Sequence, residues 1–298
     1  YKIDFYTANY IRPLPELYQA VFDAVDNFEP QVDLGGQVIS PPEAENIAAA
    51  VLARYEFTYI NGIALSPDGT AINMLYRPEF TKETAAAAKN AFRDKVKFIL
   101  RYIANPQYTA LENVIAVYTY FCHCTYNENA DDVGCYGLMV NKEGICTGYA
   151  YALRYILDQL DIPSYLAFST DQSHVWNIVK LGDCYYHLDA TWDSLNQSPT
   201  PKMNFFGMTD AQRQTDFDSW YGGGNSAYER YTLPACTDCS FAFLRDSHKA
   251  AADLSHHCLN YTAADHKQMC YNLLTGENTL IVCPSPTTRH TPAATQKP

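Results

Sequence analysis

Three segments follow one another along the chain: Gly144-Ile145-Cys146-Thr147-Gly148-Tyr149-Ala150, then Ser173-His174-Val175-Trp176-Asn177, then His187-Leu188-Asp189-Ala190-Thr191-Trp192-Asp193. They supply a thiol, an imidazole and a carboxylate, the three groups of a nucleophilic relay. In such a relay Cys146 attacks, His174 takes and returns a proton, and Asp189 fixes the tautomer and orientation of the ring. A cysteine opening an apolar helix is by itself an ordinary packing residue. The chemistry therefore depends on whether local structure brings the three groups together.

Leu153, Ile156, Leu157 and Leu160 recur at helical intervals after Cys146, which sets the thiol at a helix N-terminus. Unpaired N–H groups and the positive dipole end favour thiolates there. Gly144 and Gly148 leave room for a substrate. After Ile162-Pro163 the pattern predicts three strands: Ser164–Ser169, Ser173–Leu181 and Cys184–Thr191, the last two flanking Gly182-Asp183. A two-residue loop at that turn sets His174 opposite Thr191, with Asp189 a diagonal step away; a four-residue loop sets His174 and Asp189 face to face. Both registers hold imidazole and carboxylate on one face within side-chain reach. Trp176 shares that face, where it either shields the pair from water or packs a core. Asn177 points to the other face.

In this order and spacing the three motifs resemble the core of the transglutaminase-like superfamily, in its bacterial branch, a fold related to the papain-like cysteine peptidases. With the preceding helices and Asn204-Phe205-Phe206-Gly207, the resemblance covers about residues 92 to 210. It implies an α+β fold in which a nucleophile-bearing helix packs on an antiparallel sheet. It also implies Cys146, His174 and Asp189 as catalytic residues. Trp176, Trp192, Tyr149 and Tyr126 are the further candidates for lining the site. The implied reaction is attack on a protein or peptide amide, loss of ammonia or an amine, and a thioester resolved by water or an amine. The backbone N–H of Cys146 would be one oxyanion donor. The superfamily also has inactive members, so the alternative is a module that binds a peptide or glycan in the same groove.

Elsewhere the chain reads as support. Leu14, Leu17, Tyr18, Val21, Phe22 and Val25 predict an amphipathic helix. Ser40-Pro41-Pro42-Glu43 predicts a capping box opening another, through Ile47, Ala48, Val51 and Leu52. Ser66-Pro67-Asp68-Gly69 is the turn of a hairpin between Phe57 and Tyr76. Thr81 starts a long helix with Ala88, Phe92, Val96, Ile99 and Ile103 on one face, and Leu111 to Cys122 form the next. The expected division is a mostly helical lobe with a small hairpin at 1–108, a catalytic core at 109–210, a C-terminal extension at 211–283 whose residues 240 to 275 read as mostly helical and polar, and a low-complexity tail at 284–298.

The chain has 298 residues and a net charge of -12, with no basic stripe for nucleic acid and no apolar run of membrane-spanning length. A protein or peptide substrate is the expected partner. The first residue, Tyr1, leaves open an exported or cell-surface protein with its leader removed, or a cytoplasmic one. Ten cysteines become an odd nine once Cys146 stays free. Cys122-His123-Cys124, Cys236-x-x-Cys239 and His256-His257-Cys258 offer zinc-ligand types, but a structural site needs a second matching pair. No metal and no cofactor are expected. Gly222-Gly223-Gly224-Asn225 lacks the strand and Lys-Ser/Thr of a phosphate loop.

Overall fold

A computed structural model describes residues 14–52, 56–194, 203–222, 232–238 and 240–241. Cys239, the His256-His257-Cys258 segment, the expected helices beyond 241 and the low-complexity tail lie outside the described residues.

The N-terminal elements follow their sequence signals. Helix α1 (Pro15–Asp26) buries Leu17, Tyr18, Val21, Ala24 and Val25. Helix α2 (Pro41–Leu52) opens on the expected capping box: the Glu43 carboxylate accepts from the Ser40 N–H at 2.7 Å, and Ser40 Oγ accepts from the Glu43 N–H at 3.4 Å. The hairpin forms between β2 (Ile60–Leu65) and β3 (Ala71–Tyr76). A strand the sequence did not reveal, β1 (Gln31–Asp33), pairs with the free edge of β3. Three residues are too few to show a two-residue period. The mostly helical lobe thus carries a three-stranded sheet, one strand more than the expected hairpin.

Helix α3 (Lys82–Tyr102) is capped by Thr81, whose side chain accepts from the Thr84 N–H. It serves two hydrophobic cores. Ala85 packs with Val21, Ile47 and Ile72 in the first, whereas Phe92, Val96 and Ile99 pack in the second. The seam in the packing therefore falls inside α3 and not at residue 108. The second core is built around α4 (Ala110–Cys122) and α5 (Cys146–Gln159), which are buried on nearly every side. A helix apolar all round belongs inside a core.

Helix α5 lies on a five-stranded antiparallel sheet of order β10-β6-β7-β8-β9. Its strands are β6 (Ser164–Ser169), β7 (Val175–Leu181), β8 (Cys184–Leu188), β9 (Phe206–Met208) and β10 (Trp220–Gly222). Val175 and Val179 face α5, and Asn177 Nδ2 donates to the Ala150 carbonyl at 2.9 Å. Trp176 and Ile178 face away and join Ala167 and Cys236 in a third cluster. The α+β architecture implied by the motifs, a helix starting at the cysteine and packed on an antiparallel sheet, is the one observed. Because β10 pairs with β6, this sheet extends to residue 222, past the expected end at 210.

Candidate functional site

Cys146 is the first residue of α5, half-buried, with Ile145 in extended conformation before it. The turn ahead of the helix is held by β5 (Glu143–Gly144), which pairs with β4 (Thr125–Tyr126), so Tyr126 lies alongside Gly144. The two glycines do not open space for a substrate as expected. A Cβ on Gly144 would meet the Val133 carbonyl at 2.8 Å, and one on Gly148 would meet the Val133 and Gly134 carbonyls at 2.9 Å. The space belongs to the 132–134 backbone, which packs onto the first turn of α5.

His174 closes the four-residue loop between β6 and β7. Its N–H donates to Ser169 Oγ at 3.0 Å and its carbonyl accepts from the Ser169 N–H at 3.0 Å. Leu181 pairs with Cys184 and Asn177 with Leu188, which selects the two-residue loop and excludes the four-residue register. The strand predicted to reach Thr191 stops at Leu188, because Asp189 turns the chain into a short helix, α6 (Ala190–Ser194). Asp189 acts there as an N-cap: its Oδ1 accepts from the Trp192 N–H at 3.2 Å. The aspartate thus performs two tasks, one with each carboxylate oxygen.

Oδ2 of Asp189 accepts from His174 Nε2 at 2.7 Å, with the aspartate side chain fully buried and the imidazole nearly so. Nε2 being committed, Nδ1 is the ring nitrogen left for a second proton partner, and Cys146 is near enough to contribute to the raised pKa of the imidazole. Burial alone would pull the pKa of His174 down. The Asp189 charge and hydrogen bond, joined by Cys146, outweigh it and raise the imidazole to about 9. Burial opposes ionisation of Asp189 too, but His174, Arg213 and the Trp192 N–H hold the carboxyl below its ordinary value.

A stack of rings encloses the pair. Trp192 lies 5.1 Å from the His174 ring, Trp176 5.9 Å and Phe217 5.9 Å, all within 20° of parallel. Trp176 and Trp192 are therefore at the site. Tyr126 is beside Cys146, its hydroxyl donating to Glu128 at 3.0 Å; burial, Glu128 and Cys146 raise its pKa to about 12, so it stays a donor. Tyr149 is not brought to the site: its hydroxyl donates to the Cys124 carbonyl at 2.8 Å inside the core. One helical turn beyond Cys146, it points inward with the apolar face of α5.

Three groups here escaped sequence reasoning. Arg213 and Phe217 come from beyond residue 210 and carry no local motif. Tyr118 of α4 donates to the Asp189 carbonyl at 2.9 Å and to the Asp193 carboxylate. Asp193 also collects the N–H groups of Asn204 and Phe205 at 2.9 and 3.1 Å, fastening the segment before β9 beneath the aspartate. Burial raises Asp193 to about 7 despite those hydrogen bonds.

Among the zinc-type motifs, only Cys122-His123-Cys124 lies wholly within the described residues, and its groups point apart. Cys122 and Cys124 point to the Ala190 and Leu138 carbonyls, and His123 to Thr119. Cys236 does meet His187 and Asp210, their ligand-type atoms all within 4.8 Å of one another. Yet the Trp176 indole, a donor only, points its N–H at His187 Nδ1 at 2.9 Å. The proton of neutral His187 is thereby placed on Nε2, which donates to Asp210 at 2.9 Å. The trio is a hydrogen-bond relay behind Trp176, with no lone pair of His187 presented to an ion. Burial lowers the pKa of His187, in keeping with this neutral form.

No family model and no curated protein matches the chain. Solved structures that align with it include a proposed cysteine protease from Cytophaga hutchinsonii, at 14% identity over 34% of this chain and 37% of that one, with a TM-score of 0.28. A transglutaminase aligns at 15% identity over 55% of this chain and 51% of that one, with a TM-score of 0.30. The chain thus spans from about a third to about half of the length of these two structures. Superpositions this loose carry no argument about activity.

Proposed function

We propose that the protein is a cysteine-dependent enzyme acting on protein or peptide amides, with Cys146 as nucleophile, His174 as general base and acid, and Asp189 as the group orienting the imidazole. The observation that carries this reading is His174 itself: Nε2 is bound to a buried carboxylate, and the half-buried thiol at a helix N-terminus is close enough to add to the rise in the imidazole's pKa. His174 Nδ1 takes the thiol proton, and the sulfur attacks the amide carbon to give an oxyanion, with the Cys146 N–H as one donor. The imidazolium then protonates the departing ammonia or amine, leaving a thioester. Water or an amine, deprotonated by the neutral imidazole, attacks the thioester and returns the thiol.

Iodoacetamide labelling mapped by peptide mass tests it. Burial raises Cys124 to about 12 and pushes Cys135 and Cys236 up as well, so these should stay unlabelled near neutrality. Cys146 should label at pH 6 to 7 and lose at least about tenfold in rate in His174→Gln. Labelling of Cys146 that begins only above ~pH 8.5, with no effect of His174→Gln, would sink the reading. A groove that only binds would retain its peptide ligand and show no turnover in wild type or Cys146→Ala; turnover lost in Cys146→Ala with binding intact rejects that alternative.

A further inference from the structure

We infer that Arg213 is a positioning residue of the site: its guanidinium balances the buried charge of Asp189, so that His174 can release its proton as well as hold it. The inference rests on the nucleophile and base reading above. Arg213 ends a short helix, α7 (Asp210–Arg213), and is fully buried. One terminal nitrogen donates to Asp189 Oδ2 at 2.8 Å, the same oxygen that accepts from His174. The guanidinium carbon lies 4.2 Å from the Trp176 ring centroid, 4.4 Å from that of Trp192 and 5.1 Å from that of Phe217. Its Nε has no acceptor among the described residues, so an aromatic cage and the carboxylates of Asp189 and Asp216 fix the cation. Replacing such a buried pair by apolar side chains is often neutral for stability, and packing alone does not call for an arginine.

The charge explains the choice. The cycle proposed above needs His174 protonated when the amine departs and neutral when water or an amine attacks. Facing a fully buried carboxylate alone, the imidazolium would be held, and the second half of the cycle would stall. With Arg213 on the same oxygen, Asp189 remains compensated after the imidazole loses its proton. Among the described residues, the other charged or titratable groups near the pair are Cys146 and Tyr126 on the α5 side, Tyr118 and Asp193 beneath Asp189, Asp171 in the loop of His174, His187 behind Trp176, and Asp216. Asp216 is the second partner of Arg213, with a nitrogen–oxygen separation of 3.4 Å.

The test is the titration of His174 read by NMR in histidine-labelled protein, its signal identified by loss in His174→Gln. A Cys146→Ala background removes the thiol from the titration. Arg213→Gln should raise the His174 midpoint by about one unit or more, and Arg213→Lys should keep it within ~0.5 unit. Asp216→Asn, at a partly exposed position, should lower it by about 0.3 unit, because Arg213 loses a competing anion. If Arg213→Gln does not fold, Asp216→Asn and Arg213→Lys decide. A midpoint that stays put in Arg213→Gln, or that does not fall in Asp216→Asn, reduces Arg213 to packing and overturns the inference. These titrations stay readable even if Cys146 proves unreactive, so the two readings fail separately.

Discussion

At the residue scale, the types of the proposed reacting groups were legible and their supports were not. Cys146, His174 and Asp189 stand out because each motif has a recognisable chemical role. Arg213 reaches Asp189 across 24 positions of sequence, through a short helix whose local pattern says nothing about a carboxylate. The raised pKa of His174 has a measurable consequence. The folded state keeps a proton up to about pH 9 that an unfolded imidazole loses near ~6.5. The resulting stabilisation is fully present below ~6.5 and is lost as pH rises through about 9. Between pH 7 and 8.5 wild type should therefore lose about 2 kcal/mol more unfolding free energy than His174→Gln, measured in urea. Comparing the two proteins cancels the other groups that titrate in this window. Parallel losses would mean that the imidazole is not held by Asp189.

At the scale of elements, the strands and helices were legible where they are long and periodic. The β7–β8 turn left two registers open, and the side chains of one strand could not choose between them; pairing across the sheet did. The end of β8 was misread because Asp189 looks like a strand residue by alternation, while its side chain caps α6. Gly148 was misread for a related reason: a glycine beside a nucleophile suggests access, but what approaches it is another backbone segment. That segment is held by Asp132, whose Oδ1 accepts from the Gly134 and Gly137 N–H groups at 2.9 and 3.2 Å. Gly148→Ala should force the 132–134 carbonyls off the first turn of α5 and destabilise the protein by about 1–3 kcal/mol. Cys146 labelling should slow as well, since the same turn aims the sulfur. Unchanged thermal unfolding and labelling in this variant would show that the segment yields without moving Cys146.

At the scale of the whole molecule, neither the seam between the cores nor the full extent of the sheet could be read from composition. The long helix α3 hid the seam, because one uninterrupted apolar stripe serves both cores. Ions and hydrogen bonds add to the joint: Arg93 reaches Asp26 at 3.0 Å and Glu56 at 3.4 Å, Tyr155 of α5 donates to Glu56 at 3.4 Å, and Thr58 donates to Asp132. A shared helix whose two ends are packed in different cores should make them unfold together. Tryptophan reports on this cleanly, since Trp176, Trp192 and Trp220 are the chain's three tryptophans, all in the part that bears the site. Ile72, fully buried in the first core, is remote in sequence from every one of them. Ile72→Ala should cost about 2–5 kcal/mol, and it should lower the tryptophan-detected midpoint as much as the midpoint seen by circular dichroism. A fluorescence transition left at its wild-type position would make the N-terminal elements an independently unfolding unit. The integrity of the site would then owe nothing to the first core.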